Sequence, residues 1–196
     1  AKIRKANPYK AAAKIRQENM VCENVLNRQF KQKNPYEACS IDITYLKYSG
    51  NTAFLSTLLD VKTAEVLAYS LSTTLKMDFI FETVLAGIEN TPEQYRKKSI
   101  YHSDRGIHFT NNDYSHLLKE NGIIQSMSEL GTPLDNAPIE SFFGHMKDEI
   151  DYKKCKKFEE LAEKIDNYMY YYNNERKQWS KNKMTPIEYR EYLLAS

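Results

Sequence analysis

Between residues 41 and 90 the spacing of apolar side chains changes period, and that change limits what the chain can become. "IDITYLKY" (41–48), "TAFLSTLLDV" (52–61) and "VLAYSLS" (66–72) are dominated by β-branched and aromatic residues. Only Ser49-Gly50-Asn51 and "KTAE" separate them, which predicts an antiparallel meander of three strands. From Met77 the period becomes helical: Ile80, Val84 and Ile88 recur four apart beside Phe81 and Leu85. "SIYHS" reads as a fourth strand and "IIQSM" as a fifth. Between them lies a helix in "NNDYSHLLKENG", with asparagine at its start and Gly122 at its C′ position. "GTPLDNAP" breaks the chain, and helices follow over about 136–150 and about 157–174. The longer one carries Phe158, Leu161, Ile165, Tyr168, Met169 and Tyr172 on one stripe. The order βββαβαβαα implies an α/β fold, a mixed sheet with helices on both faces.

A length of 196 residues suits one globular domain. Hydrophobic content of 41% with 28% charged residues is ordinary for a soluble protein, and no apolar run approaches the roughly 18 residues of a membrane span. The opening "AKIRKANPYKAAAKIRQ" lacks the apolar stretch of a secretory signal, and its first residue is not methionine, which suggests a processed product or a fragment. Residues 1–35 hold nine Lys or Arg against Glu18 and Glu23, a local net of +7, on a body of net −5. We expect residues 1–38 to form a basic arm or linker, either touching nucleic acid or simply solvated, and residues 39–196 to form the core. Cys22, Cys39 and Cys155 lie far apart without a C-x-x-C, which argues against a zinc ribbon or disulfide framework and for a reducing, cytoplasmic setting.

Three acids sit where structure has little use for them. Asp42 lies inside the first strand, where ionised burial is costly. Asp104 stands just past the fourth strand, in "YHSDRGIHFT", and Glu140 lies on the helix after Pro138. Sheets of this type gather their sites at strand ends. Three carboxylates meeting there would repel one another unless a cation neutralised them, and oxygen-only ligation favours Mg²⁺ or Mn²⁺ over zinc. On the helix, Ile139, Phe142, Phe143, Met146 and Ile150 share one stripe, whereas Glu140 and Lys147 fall within about 20° of each other on an adjacent face. Asn136 joins that face if the first turn is regular. A lysine so placed suits a DNA phosphate contact.

"IDITYL", "YHSDRGIHFT", "GTPLDNAPIESFFGHMKDE" and "YNNERKQWSKNKMTPIEYR" resemble bacterial insertion-sequence transposases of the IS-three group, DDE enzymes whose integrase catalytic core is related to retroviral integrase. The resemblance runs from about residue 24 to 193 and implies a ribonuclease H-like fold with a five-stranded mixed sheet. The family pattern is two aspartates and a glutamate with 35 residues between the last two, and 35 residues separate Asp104 from Glu140. Asp42, Asp104 and Glu140 match the three acids, and Lys147 the basic residue seven further on. The chain departs from the pattern at Cys39, where a tryptophan is usual, and at Lys177, Gln178 and Trp179, where proline, histidine and glutamine are usual. The helix-turn-helix region that recognises element ends would lie upstream.

The resemblance implies metal-dependent DNA cleavage and strand transfer, with two Mg²⁺ or Mn²⁺ ions roughly 3.5–4 Å apart held by the three acids as catalytic metal ligands. It further implies DNA as partner, both element ends and target, and a homo-oligomer as the active complex, with no membrane and, when acting, association with the nucleoid. His102 and Arg105 are candidates for touching DNA or orienting a carboxylate. His108, His116 and His145 are expected to be surface or packing residues, Asp60 a turn residue, and Tyr168, Tyr170, Tyr171 and Tyr172 helix packing. The alternatives are a ribonuclease H-like nuclease without joining activity, and a catalytically idle DNA-binding module from a decayed transposon.

Overall fold

A computed structural model describes residues 21–30, 33–129 and 131–196. The sequence expectation for residues 1–20 lies outside the described residues. β1 (Ala38–Tyr48), β2 (Asn51–Asp60) and β3 (Val66–Ser72) form the antiparallel meander. Ser49 and Gly50, at φ 42° and 79°, close the first hairpin in the left-handed pair that matches strand twist. Helix α1 (Asp78–Asn90) and a single turn, α2 (Glu93–Arg96), lead to β4 (Ile100–Ser103). Helix α3 (Asn112–Glu120) is capped by the Asn111 side chain, which accepts from Asp113 N, and leads to β5 (Ile124–Met127). α4 (Ala137–Glu149), α5 (Phe158–Asn174) and α6 (Pro186–Leu194) follow.

The sheet runs β3-β2-β1-β4-β5, with β4 and β5 parallel to β1. This is the expected mixed sheet. Alternation along β1 sends Cys39 and Ile41 to one face, against Phe79, Ile80 and Val84 of α1 and Tyr114 and Leu118 of α3. Leu46 and Tyr48 go to the other, against Ile139, Phe142, Phe143 and Met146 of α4 and Leu161, Ile165, Tyr168, Met169 and Tyr172 of α5. Both predicted helix stripes pack into the core, with Ile150 and Phe158 only partly buried.

Two features depart from the sequence expectation. The boundary at residue 38 falls inside packed structure: Leu26 is fully buried with Ala38, Val61 and Ile100, and its amide donates to Ser126 Oγ at 3.1 Å. Helix α6 was not anticipated, because its apolar residues form no stripe. It is held by a capping box, Thr185 with Glu188, and by an ion pair from Arg190 to Glu65 in the β2–β3 turn. Asp60 is the turn residue expected, but a buried one. Its carboxylate accepts from the amides of Tyr36, Lys62 and Thr63.

Candidate active site

The register carries Asp42 and Asp104 to one place. Ser40 of β1 pairs with His102 of β4 in parallel. Asp42 follows Ser40 by two residues on β1, and Asp104 stands one residue past the end of β4, so the parallel pairing brings both to the same end of β4, where Asp104 acts electrostatically on Asp42. Asp42 is on the face that α4 covers, and α4 packs against β1. The 3-10 turn Pro133–Asn136 feeds α4, whose first turn contains Glu140. A helix N-terminus is a favourable place for a carboxylate.

Asp42 registers the presence of the others. Burial first, then Asp104 and Glu140, push its carboxyl up to about 7, while the Ile43 amide and Lys147 oppose the rise. Burial likewise lowers the Lys147 ammonium, with Asp42 opposing. Asp42, Asp104, Glu140 and Lys147 therefore share one electrostatic site although 105 positions separate the first from the last.

Each aspartate spends one oxygen on a neighbouring amide. Asp42 Oδ1 accepts from Ile43 N at 2.7 Å, and Asp104 Oδ1 accepts from Gly106 N at 2.7 Å. A Cβ on Gly106 would lie 2.8 Å from Asp104 Oδ1, so a larger residue there would displace the Asp104 carboxylate. Glu140 is exposed on its helix. Among the described residues no three His, Cys, Asp or Glu side chains clasp a metal ion as they stand. The donor set nonetheless fits a hard cation: all its ligating atoms are carboxylate oxygens, and a cation would relieve the repulsion felt at Asp42. Two further oxygens line the same face without a hydrogen-bond partner, Thr57 Oγ1 opposite Asp42 on β2 and Ser40 Oγ two residues before it.

The other candidates divide. His102 is fully buried, its Nδ1 2.9 Å from Ser126 Oγ and its Nε2 3.2 Å from Ser128 Oγ. It offers no edge to DNA, and that expectation is replaced by a positioning role. Ser128 Oγ lies 3.2 Å from Ser103 O and 3.1 Å from Asn136 Oδ1, both acceptors for its proton, so it accepts from Nε2–H. Ser126 already accepts from Leu26 N and so donates to Nδ1. Those roles fix one neutral tautomer. Asn136, 8% exposed, is held by this network rather than turned to solvent beside Glu140. Arg105 is half-buried and donates through Nε to Ser128 O at 2.7 Å. His108 packs against Leu75 O, and His116 and His145 are exposed. Tyr168 and Tyr172 are buried as expected, but Tyr170 and Tyr171 are exposed.

Burial lowers the His102 imidazole to about 4. The unfolded chain protonates its histidine near 6.5, so stability is complete above that value and declines as pH falls from about 6.5 towards 4, by on the order of 3 kcal/mol. An NMR titration should find the His102 ring neutral at pH 5. A midpoint near 6.5 would show the ring is not sealed as described.

Asp135 was missed in the sequence. It is 1% exposed and binds Asn24 Nδ2, the Glu129 amide and Thr132 Oγ1, with Arg28 3.1 Å away, so it ties residues 24–28 to the start of α4. The available signal was Thr132 three residues before an Asp, the spacing of a side-chain-closed turn.

Comparison with known proteins follows the same outline. The family model "Integrase core domain" matches residues 32–133, and a second model of that description matches residues 140–194. The chain belongs to the integrase core family. Over 178 residues this integrase core is 36% identical to an "Uncharacterized transposase-like protein" of Haemophilus influenzae, covering 89% of this chain and 80% of that one. It is 37% identical over 174 residues to the "Putative transposase InsK for insertion sequence element IS150" of Escherichia coli K12, covering 85% of this chain but only 59% of the relative. The integrase core thus spans most of the first relative and under two thirds of the second. Among solved structures it matches the HTLV-2 integrase catalytic core domain in complex with magnesium, at a TM-score of 0.63 and 15% identity, over 80% of this chain and 97% of that one. It also matches a chain of the simian T-cell lymphotropic virus intasome, at a TM-score of 0.67 and 13% identity, over 87% of this chain and 56% of that one. The fold of this integrase core is ribonuclease H-like, and the chain is related to insertion-sequence transposases. Among the described residues no helix is long and apolar enough to cross a membrane.

Proposed function

We propose that this integrase core is the catalytic part of a DDE transposase, cutting DNA and joining its 3′-hydroxyl ends to new phosphodiesters. The observation that supports this most is that Asp104, just past the end of β4, and Glu140 both act electrostatically on Asp42 of the neighbouring strand β1. Those three acids would hold two Mg²⁺ or Mn²⁺ ions. When bound, such ions activate the attacking oxygen and neutralise charge on the leaving 3′-oxygen.

The chain's own contribution is position and charge. The Asp104–Gly106 turn keeps one carboxylate at the strand end, and the rigid sheet register keeps the other on the neighbouring strand. Glu140 sits exposed in the first turn of α4 and already acts on the Asp42 carboxyl, so its carboxylate would complete the set. Lys147, beside Asp42, supplies the cation that meets a scissile-strand phosphate. The sealed His102–Ser126–Ser128–Asn136 network joins β4, β5 and the entry to α4, so the Asp104 and Glu140 backbones hold a fixed relation. DNA is the partner, with element ends and target as its two substrates, and the assembly is a homo-oligomer.

A strand-transfer assay with a labelled 3′-hydroxyl DNA end in Mg²⁺ tests this. Joined products longer than the label are expected. Shortened products alone would indicate a ribonuclease H-like nuclease, and neither products nor Mn²⁺ binding would indicate an idle DNA-binding module.

A further inference from the structure

The segment after α5 departs from the pattern described above at Lys177, Gln178 and Trp179, and it forms a knuckle. Gln178 and Met184 close it as an isolated antiparallel bridge, with Gln178 N donating to Met184 O at 2.9 Å and Lys183 N to Gln178 O at 3.0 Å. Asn182 and Lys183 hold φ of 55° and 60°, a conformation that side-chain-bearing residues rarely adopt, so the loop is shaped tightly. Directly after the bridge residue Gln178 stands Trp179, the chain's single tryptophan, 84% exposed. Lys183 Nζ lies 4.7 Å from the indole centroid on one side.

The knuckle is fixed to the catalytic body. Lys181 Nζ donates to the Lys62 carbonyl and lies 5.3 Å from the Tyr189 ring. Arg176, at its base, is committed to Glu149 at 2.6 Å. Residues 176–183 read RKQWSKNK, four cations and no acid, of which Lys177 and Lys183 are exposed. Lys62 follows Asp60, which pairs with Cys39, three residues before Asp42 on β1. The anchor, two residues beyond Asp60, is thus about five residues, or about 17 Å of strand, from the level of Asp42.

A rigid, exposed indole flanked by cations is complementary to a polyanion that carries flat rings. A protein partner would have to be acidic and would gain little from the tight loop shape. We propose that residues 178–184 are a DNA contact in which Trp179 stacks on an unpaired base while Lys177 and Lys183 meet the adjoining phosphates. This rests on the reading of the chain as a DNA-processing core and adds a second point of grip outside the acid site. Base stacking on an aromatic side chain tolerates any sequence, so the knuckle strengthens binding at frayed or cleaved ends without selecting their sequence.

Because Trp179 is the sole tryptophan, its emission reports the contact directly. The full chain is titrated with a fluorescein-labelled duplex bearing a short single-stranded 3′ tail, following anisotropy and tryptophan emission together. Emission should be quenched as anisotropy rises. Trp179→Ala should weaken binding about 5- to 150-fold, Trp179→Phe should restore part of it, and Lys183→Ala should reduce the log–log salt slope by about 0.7. A rise in anisotropy with unmoved emission and unchanged Trp179→Ala affinity overturns the knuckle contact but leaves DNA binding in place. Equal quenching by a blunt duplex overturns base stacking. No anisotropy change with any DNA overturns both this contact and the function it rests on.

Discussion

Asp104→Asn is expected to reduce strand transfer at least about 10³-fold, the loss of several kcal/mol of transition-state stabilisation. It should leave unfolding free energy within about 0.5 kcal/mol of wild type. The reason is local. Asparagine keeps an Oδ1 that can accept from Gly106 N, as Asp104 Oδ1 now does at 2.7 Å, so the turn survives. What disappears is the negative charge that, under the function proposed, would join Asp42 and Glu140 in holding a cation, and with it part of the repulsion that raises the Asp42 carboxyl. The paired readings are activity from the strand-transfer assay and stability from urea unfolding. More than a tenth of wild-type joining with the fold intact would mean that Asp104 is a turn residue and no more.

Asp60→Ala should produce the opposite pattern, a large loss of stability that reaches activity only through unfolding. The carboxylate is 1% exposed. Its Oδ2 accepts from Tyr36 N at 2.6 Å, and its Oδ1 from Lys62 N at 2.9 Å, Thr63 N at 2.7 Å and Thr63 Oγ1 at 3.0 Å. Alanine leaves those donors unpaired in the interior. At about 1–3 kcal/mol for each buried group left unsatisfied, with partial relaxation, the expected cost is about 3–5 kcal/mol. Against a domain stability of about 5–15 kcal/mol, that places the variant near its unfolding threshold. Urea midpoints at constant m-value measure it. A loss below about 1 kcal/mol would show that water reaches these amides and that the β2–β3 turn is not sealed.

The contrast between these two aspartates marks how far a sequence can be read. The strands and the helix stripes follow from apolar spacing because burial itself imposes that spacing: Val66–Ser72 is bounded as expected, and Leu161, Ile165 and Tyr172 pack where a helical repeat puts them. Helix α6 escaped because ion pairing and a capping box hold it rather than an apolar stripe. Its signature, Thr185-Pro186 followed by Glu188, was nonetheless present. The acids were legible as a set only through their family spacing. Singly, Asp42 and Asp60 look alike, each an aspartate in a β-rich stretch. The difference is what surrounds them: Asp60 is hydrogen-bonded on both oxygens, while Asp42 accepts from the Ile43 amide and has two other acids pressing on it. That distinction depends on strand register, which no local pattern encodes. The partners of His102 were hidden for a related reason, since its two serines lie 24 and 26 residues away on and beside β5. The segment 22–30 was read as arm because its composition is polar, yet a single residue, Leu26, sets its place in the core.

A crystal grown or soaked in Mn²⁺ near pH 8, above the Asp42 value of about 7, gives the most direct measurement. Anomalous difference density should appear between the carboxylates of Asp42, Asp104 and Glu140, with Asp104 Oδ1 or its fellow oxygen turned to the ion. Saturating Mn²⁺ with no peak there, and Asp42 and Asp104 still bound only to the Ile43 and Gly106 amides, would contradict the proposal that these three side chains form a metal-dependent DNA-joining centre.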